Sequence, residues 1–167
     1  MTLTSPTIEP RHFRDVMGHL PTGVVVVAAR EPGGGRPAGL VVGTFQSLSL
    51  DPPLVSFSVA NTSTSWPKIR PSTTFSASVL GDGQREVCGA LSSKQDDKFA
   101  AIDWHASSDG HPRIPGAHAW IDCRLVREVE GGDHLIAIAE VRGLEAGAGA
   151  PLLFHRGRLG SYRAPLH

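Results

Sequence analysis

The sequence predicts a small, mainly antiparallel β domain flanked by a few short helices. Three observations carry that expectation. Val24 to Val27 are four consecutive valines within the apolar run 23–29, too β-branched for a surface helix and suited to a buried strand. Two long, partly alternating segments, 119–130 and 134–144, are separated by Gly131-Gly132-Asp133, a turn signal, and so form a hairpin. Glycine (19) and proline (13) are abundant among 167 residues, as needed where many strand ends turn. Many strands with few helical patterns favour an antiparallel barrel over a βαβ sheet.

In chain order, residues 9–20 place Phe13, Val16, Met17 and Leu20 on one helix face. Pro21 ends that helix, because its ring disfavours the helical conformation in the residue before it. The strand 23–29 leads into Glu31-Pro32-Gly33-Gly34-Gly35-Arg36-Pro37, a hairpin connection. Its glycines are adjacent and no helical pattern follows, so it is not a dinucleotide fingerprint; no G-x-x-x-x-G-K-[ST] phosphate loop occurs either. Strands follow at 40–44 and 54–60, the second after Asp51-Pro52-Pro53. A short helix is expected at 62–69, a strand at 74–80 and short helices at 84–91 and 96–102. An N-terminal arm, 1–10, precedes a single domain spanning 11–165. There is no internal repeat.

Composition excludes several classes. Lys+Arg and Asp+Glu both number 16, so the net charge is zero and the attraction behind most nucleic-acid binding is missing. No apolar run approaches the roughly 20 residues needed to span a bilayer. MTLTSPTIEP lacks the basic start and apolar core of a signal peptide, and two cysteines make no disulfide framework. A cytoplasmic, reduced protein is expected.

Metal chemistry finds little support. The eight histidines include no i, i+4 pair, and His105, His111 and His118 share only a Gly/Pro/Ser-rich loop. Cys88 and Cys123 sit in apolar patterns as small buried residues would. A serine hydrolase using Ser47 or Ser49 lacks a G-x-S-x-G elbow. The unusual segment is 39–54: Ser47 and Ser49 share one face of an extended chain, and Gly43 permits close approach to the backbone. Such a segment offers backbone groups to a planar heterocycle and hydroxyls to a polyol or phosphate. An ordinary strand with solvent-facing serines has the same pattern.

Phe13-Arg14-x-x-Met17-Gly18-x-x-Pro21-Thr22-Gly23-Val24 resembles the opening of the flavin reductase-like family. The 39–54 segment is similar to that family's flavin-binding strand, including its Ser-x-Ser-Leu-Asp-Pro-Pro-Leu ending. Ser63-x-Ser65-Trp66-Pro67-x-Ile69, Asp97-Lys98-Phe99, Gly132-Asp133-His134 and Pro151-Leu152-Leu153-Phe154-His155-Arg156-Gly157 follow in the family's order, over residues 12–163. The resemblance implies an FMN-binding split β-barrel, antiparallel and Greek-key-like. It implies an NAD(P)H:flavin oxidoreductase that reduces FAD or FMN, with NADH favoured over NADPH because no arginine cluster awaits a 2′-phosphate. It further implies a homodimer and a separate flavin-dependent monooxygenase served by diffusion of reduced flavin. A flavin- or haem-binding carrier of the same fold without turnover is the alternative.

Carried over by position, Val41, Val42, Gly43, Thr44 and Phe45 would lie along the isoalloxazine, with Ser47 and Leu48 continuing the contact. Thr62, Ser63, Thr64 and Lys68 would hold the ribityl or phosphate end, and Ala90, Leu91 and Ser92 would close the pocket. His134 would serve the nicotinamide side, donating a hydrogen bond to the carboxamide or ribose, with Gly157, Arg158 and Leu159 nearby. A turn-capping role for His134 is the bland alternative. The chain departs from the family's pattern at Val41 and Gly43, where many relatives have threonine and asparagine. It also departs at Leu91, where an aromatic is usual, and at Leu159, in place of a tyrosine that Tyr162 could replace.

Overall fold

The computed structural model describes residues 7–162. Residues 1–6 of the expected arm and 163–165 of the expected domain lie outside them. Helix α1 (Pro10–Met17) is capped by the Glu9 carboxylate, which accepts from the Arg11 and His12 N–H groups. Then come β1 (Thr22–Gly23), β2 (Val25–Arg30), β3 (Pro37–Val42), β4 (Gln46–Ser49) and β5 (Leu54–Ala60). Helix α2 (Trp66–Ile69) and a 3-10 turn precede β6 (Thr74–Val79) and α3 (Arg85–Leu91). The chain continues through β7 (His105–Ala106), β8 (Pro112–Arg113), β9 (Ala119–Gly131), β10 (His134–Ala146), β11 (Leu152–His155) and β12 (Arg158–Ser161).

Seven strands form one antiparallel sheet in the order β3-β2-β6-β9-β10-β5-β4. Inward side chains of β2, β3, β5, β6, β9 and β10 share a single core, so the sheet is rolled onto itself. Phe57, Trp66 and Phe75 meet edge-on at its centre, with ring centroids 5.4, 5.6 and 6.4 Å apart. Rolling brings β3 beside β5, but no ladder joins them. The one stitch there is the Thr44 hydroxyl, which accepts the Ser58 N–H at 2.8 Å. This is a barrel with an open seam.

Strand β2 explains the valine run. Val25, Val27 and Ala29 enter the barrel core, whereas Val24, Val26 and Ala28 enter a second core with Leu80, Leu91, Phe99, Ile114, Ala117 and Leu152. A strand buried on both faces needs no polar alternation. Each valine so buried contributes about 1.5–3 kcal/mol of transfer free energy.

Elsewhere local chemistry overrides the expected elements. The helix expected at 62–69 is reduced to Trp66–Ile69, because the Ser63 hydroxyl accepts the Trp66 N–H at 3.2 Å and holds the preceding residues as a turn. The helix expected at 96–102 does not form. The Asp97 carboxylate accepts the Phe99 N–H at 3.2 Å, making a turn that sends Phe99 over Gly39. A Cβ on Gly39 would lie 2.9 Å from that ring. Short strands too brief to show a period also went unforeseen: β1, β11 and β12 make a separate three-stranded sheet, and β7 pairs β8.

Candidate functional site

The open seam is a cleft of about 1150 Å³, larger than the roughly 300–1,000 Å³ of pockets that hold one drug-sized ligand. One wall is the end of β3, with Val41 and Val42, continued by Gly43 and Thr44. The facing wall is Ser58, Val59 and Ala60 of β5, followed by the hydroxyl run Thr62, Ser63, Thr64 and Ser65 and by Lys68 of α2. Leu91 and Ser92 at the end of α3 and the turn 94–98 complete it, and His134 borders it at the start of β10, in register with Ala60. Thus eleven of the residues singled out in the sequence share one cavity: Val41, Val42, Gly43, Thr44, Thr62, Ser63, Thr64, Lys68, Leu91, Ser92 and His134.

Some of their roles are more local than the sequence suggested. Gly43 is small because of Thr22, whose Oγ1 would lie 2.8 Å from a Cβ there. Thr44 and Ser63 already spend acceptor capacity on the Ser58 and Trp66 N–H groups. The His134 Nδ1 lies 2.6 Å from the Asp133 carboxylate. A carboxylate only accepts, so Nδ1 carries the proton and Nε2 is the nitrogen left for other partners. That bond is also the main reason the Asp133 carboxyl sits below its usual range.

Other residues of the expected site lie elsewhere. Past Val42 the β3 ladder ends and the chain bends, turning Phe45 into the barrel, where it stacks on Phe57 at 5.7 Å. Ser47 and Leu48 are exposed on β4, an edge strand. Ala90 is half-buried one position away from Leu91, which takes the cleft-facing side of α3. Gly157, Arg158 and Leu159 leave the cleft because β11 pairs with β1 instead of the rolled sheet. Arg158 and Leu159 line a separate cavity of about 730 Å³ with Pro21, Leu153, His155 and Arg156.

Sequence reasoning passed over several residues. Ser58, Ser65, Arg36, Lys94 and Lys98 line the cleft; Ser65 and Lys98 stood in quoted motifs and Arg36 in the glycine-rich connection, but none of them was given a role at the site. Asn61 clamps the β9–β10 turn, its N–H donating to the Asp133 carbonyl at 3.0 Å and its side-chain amide to the Gly132 carbonyl at 3.3 Å. No local pattern marks that role.

The cleft is rich in unpaired cations. Among the described residues, Arg36, Lys68, Lys94 and Lys98 have no carboxylate within ion-pair distance. Planar apolar walls, hydroxyls and ammonium groups together suit a heterocycle carrying an anionic tail. Outside the cleft, His111 is a core residue: its Nδ1 accepts the Arg30 N–H at 3.2 Å and its Nε2 lies 2.7 Å from the Thr74 hydroxyl. Burial lowers its pKa. Among the described residues no three His, Cys, Asp or Glu side chains gather as metal ligands. Both cysteines are free, and burial pushes the Cys123 thiol up to about 12. No helix of the described residues is long and apolar enough to cross a membrane.

Comparison with known proteins sharpens this. A family model described as a flavin reductase like domain matches residues 17–163. The chain is 46% identical over 158 residues to a flavin reductase of Pseudomonas putida, covering 94% of this chain and 92% of that one. It is 41% identical over 157 residues to HsaB of Rhodococcus jostii, the reductase subunit of a flavin-dependent monooxygenase, covering 93% and 80%. A solved NADH:FAD oxidoreductase of Streptomyces globisporus, in complex with NAD and FAD fragments, matches with a TM-score of 0.86 at 32% identity, covering 95% and 98%.

Proposed function

The chain belongs to the flavin reductase-like family, and from that premise we propose that it is the reductase component of a two-component flavin-dependent monooxygenase. It uses NADH to reduce FAD or FMN and releases reduced flavin, which diffuses to a separate oxygenase. The observation that carries this reading is the cleft at the barrel's open seam, which gathers the β3 wall, the hydroxyl run with Lys68, and His134. When bound in this cleft, the nicotinamide would supply a hydride and the flavin would accept it.

The protein's part is placement. Val41 and Val42 offer an apolar surface to the isoalloxazine, and the backbone from Gly43 to Thr44 offers polar groups to its edge. Thr62, Thr64 and Lys68 face the ribityl and phosphate end. With Nδ1 held by Asp133, Nε2 is the ring nitrogen of His134 left to hydrogen-bond the nicotinamide carboxamide or ribose. NADH is favoured over NADPH. Neither the 46%-identical flavin reductase nor the reductase subunit is named for FAD or for FMN.

Helix α1 supports a homodimer. None of its residues is buried, and Phe13, Val16 and Met17, with Leu20 just beyond, stay exposed. A second copy covering that face removes the apolar patch from water. Two free thiols fit a reducing compartment, the cytoplasm. The test of function is loss of reduced-nicotinamide absorbance under air. Turnover should require added FAD or FMN and should support a flavin-dependent oxygenase supplied separately. No flavin-dependent oxidation of NADH would overturn the proposal. Light scattering should give a dimer, and a monomer at micromolar concentration would count against the α1 interface.

A further inference from the structure

Behind the cleft, His111 is buried, 7% exposed, and joins three parts of the chain. Its own loop holds it in place: the Ser107 hydroxyl accepts the His111 N–H at 3.1 Å, and the Ser107 N–H donates to the His111 carbonyl at 2.8 Å. The ladder between β2 and β6 ends at Ala28 and Ser76, and side chains take over at Arg30. Nδ1 of His111 accepts the Arg30 N–H at 3.2 Å, and the Ser72 hydroxyl donates to the Arg30 carbonyl. With Nδ1 accepting, the ring proton sits on Nε2, which donates to the Thr74 hydroxyl at 2.7 Å. From Arg30 the hold passes to the cleft. The Arg30 guanidinium donates to the Gly34 and Gly35 carbonyls and so closes the β2–β3 turn, whose Glu31, Arg36 and Pro37 line the cleft. That turn starts β3, the cleft's first wall and an edge strand held by β2.

A neutral ring satisfies each of these partners; a protonated ring does not. A proton on Nδ1 sets two donors against each other, so the Arg30 N–H must leave. The charges around the ring are Asp109 on its own loop, Arg30 on β2 and Asp122 on β9, the last paired with Arg113 of β8 at 2.6 Å. From β6 comes the uncharged Thr74. Burial is the largest influence and lowers the His111 pKa; Asp109 and Asp122 oppose it, and Arg30 adds to the lowering. With a folded pKa below the unfolded value of about 6.5, the bond to Arg30 is intact above that pH and is lost as pH falls through the folded value. We propose that His111 is a positioning residue for the flavin cleft: it anchors the β2–β3 turn while Nδ1 is unprotonated, and its protonation frees the turn and weakens flavin binding. The inference rests on the flavin reductase reading and adds acid sensitivity to it.

FAD is the probe, because its phosphates stay ionised where the second ionisation of a phosphate monoester such as FMN, at about pH 6, would mask the effect. Fluorescence quenching titrations of oxidised FAD with the intact protein and no nicotinamide should show affinity falling at least about fivefold from about pH 7.5 to about pH 5.5, the scale of one lost hydrogen bond. His111→Asn puts a carbonyl oxygen where Nδ1 stood and does not titrate. It should bind FAD within about twofold of the unaltered protein at about pH 7.5 and lose less than about twofold on acidification. Hydrogen exchange reads the anchor without a variant or a flavin. The Arg30 amide, corrected for its intrinsic rate, should lose protection below about pH 6.5, while Val27, paired on both sides, keeps it. An equal acid loss in His111→Asn, no acid loss in the unaltered protein, or an Arg30 amide still protected at about pH 5.5 would overturn the anchor and leave the reductase reading intact. Failure of the unaltered protein to bind FAD at about pH 7.5 would overturn both.

Discussion

The β9–β10 hairpin turns at Gly132-Asp133 and the β11–β12 hairpin at Arg156-Gly157, and each sets a histidine beside its tip. By their place in the sequence both belong to one nicotinamide site. In the molecule they part. The first is built into the rolled sheet, opposite β5, and its His134 borders the seam. Asn61 holds that tip from the end of β5. The second belongs to the three-stranded sheet, is tied to the end of α1 by the Arg156 N–H donating to the Gly18 carbonyl at 3.0 Å, and lines its own cavity. What a hairpin tip can do is therefore decided by the strand that its hairpin pairs with, a long-range fact absent from the tip's own residues.

The largest expected effect tests that separation directly. His134→Ala should raise the KM for NADH by about tenfold, the equivalent of one lost hydrogen bond in the site, and leave flavin affinity near normal. Arg158→Ala should change neither by more than about twofold. If Arg158→Ala raised the NADH KM as much as His134→Ala, the second hairpin would have to reach a cleft through another copy of the chain. Asp133→Asn should fall between them, since it removes the acceptor that orients His134 but keeps the imidazole.

A smaller effect separates function from fold. Gly132 and Gly157 have left-handed φ values of 75° and 77°, and a Cβ at either would meet nothing within 4 Å. Alanine at each should therefore cost about the same, roughly 1–2 kcal/mol for a left-handed L residue, seen as a drop of about 2–8 °C in Tm. Only Gly132→Ala should also raise the NADH KM, because only that turn positions His134. Equal kinetic effects from the two would erase the distinction.

How much of this was readable in advance follows from where the information lies. The valine run and the 119–144 hairpin were legible because their burial repeats along the chain. The seam residues Val41 to Thr44, Thr62 to Thr64, Lys68, Leu91 and His134 were reached through motif order, and the cleft gathers them. Asn61 was not, since its role depends on the Gly132-Asp133 turn, 71 or more positions away, and although Lys98 stood in the motif Asp97-Lys98-Phe99, its bond to Ser65, 33 positions away, was not readable there. The same holds for Phe45: nothing in 39–54 says that the β3 ladder stops at Val42 and that Phe45 then faces Phe57.

The smallest effect concerns strain confined to the second tip. Its turn takes positive φ at both central positions, Arg156 at 50° and Gly157 at 77°, whereas the first tip does so only at Gly132. Hairpin turns with two left-handed residues favour Asn-Gly, because asparagine tolerates that conformation better than a long side chain does. The Arg156 contact with Gly18 is made by the backbone N–H, so changing the side chain preserves it. Arg156→Asn should then stabilise the fold by about 0.5–1 kcal/mol, read as a higher urea midpoint at unchanged slope, with the NADH KM unmoved. A lower midpoint would show that the Arg156 guanidinium contributes more from its side of the second cavity than its backbone conformation costs. The second hairpin would then be a place of interaction and not only of support.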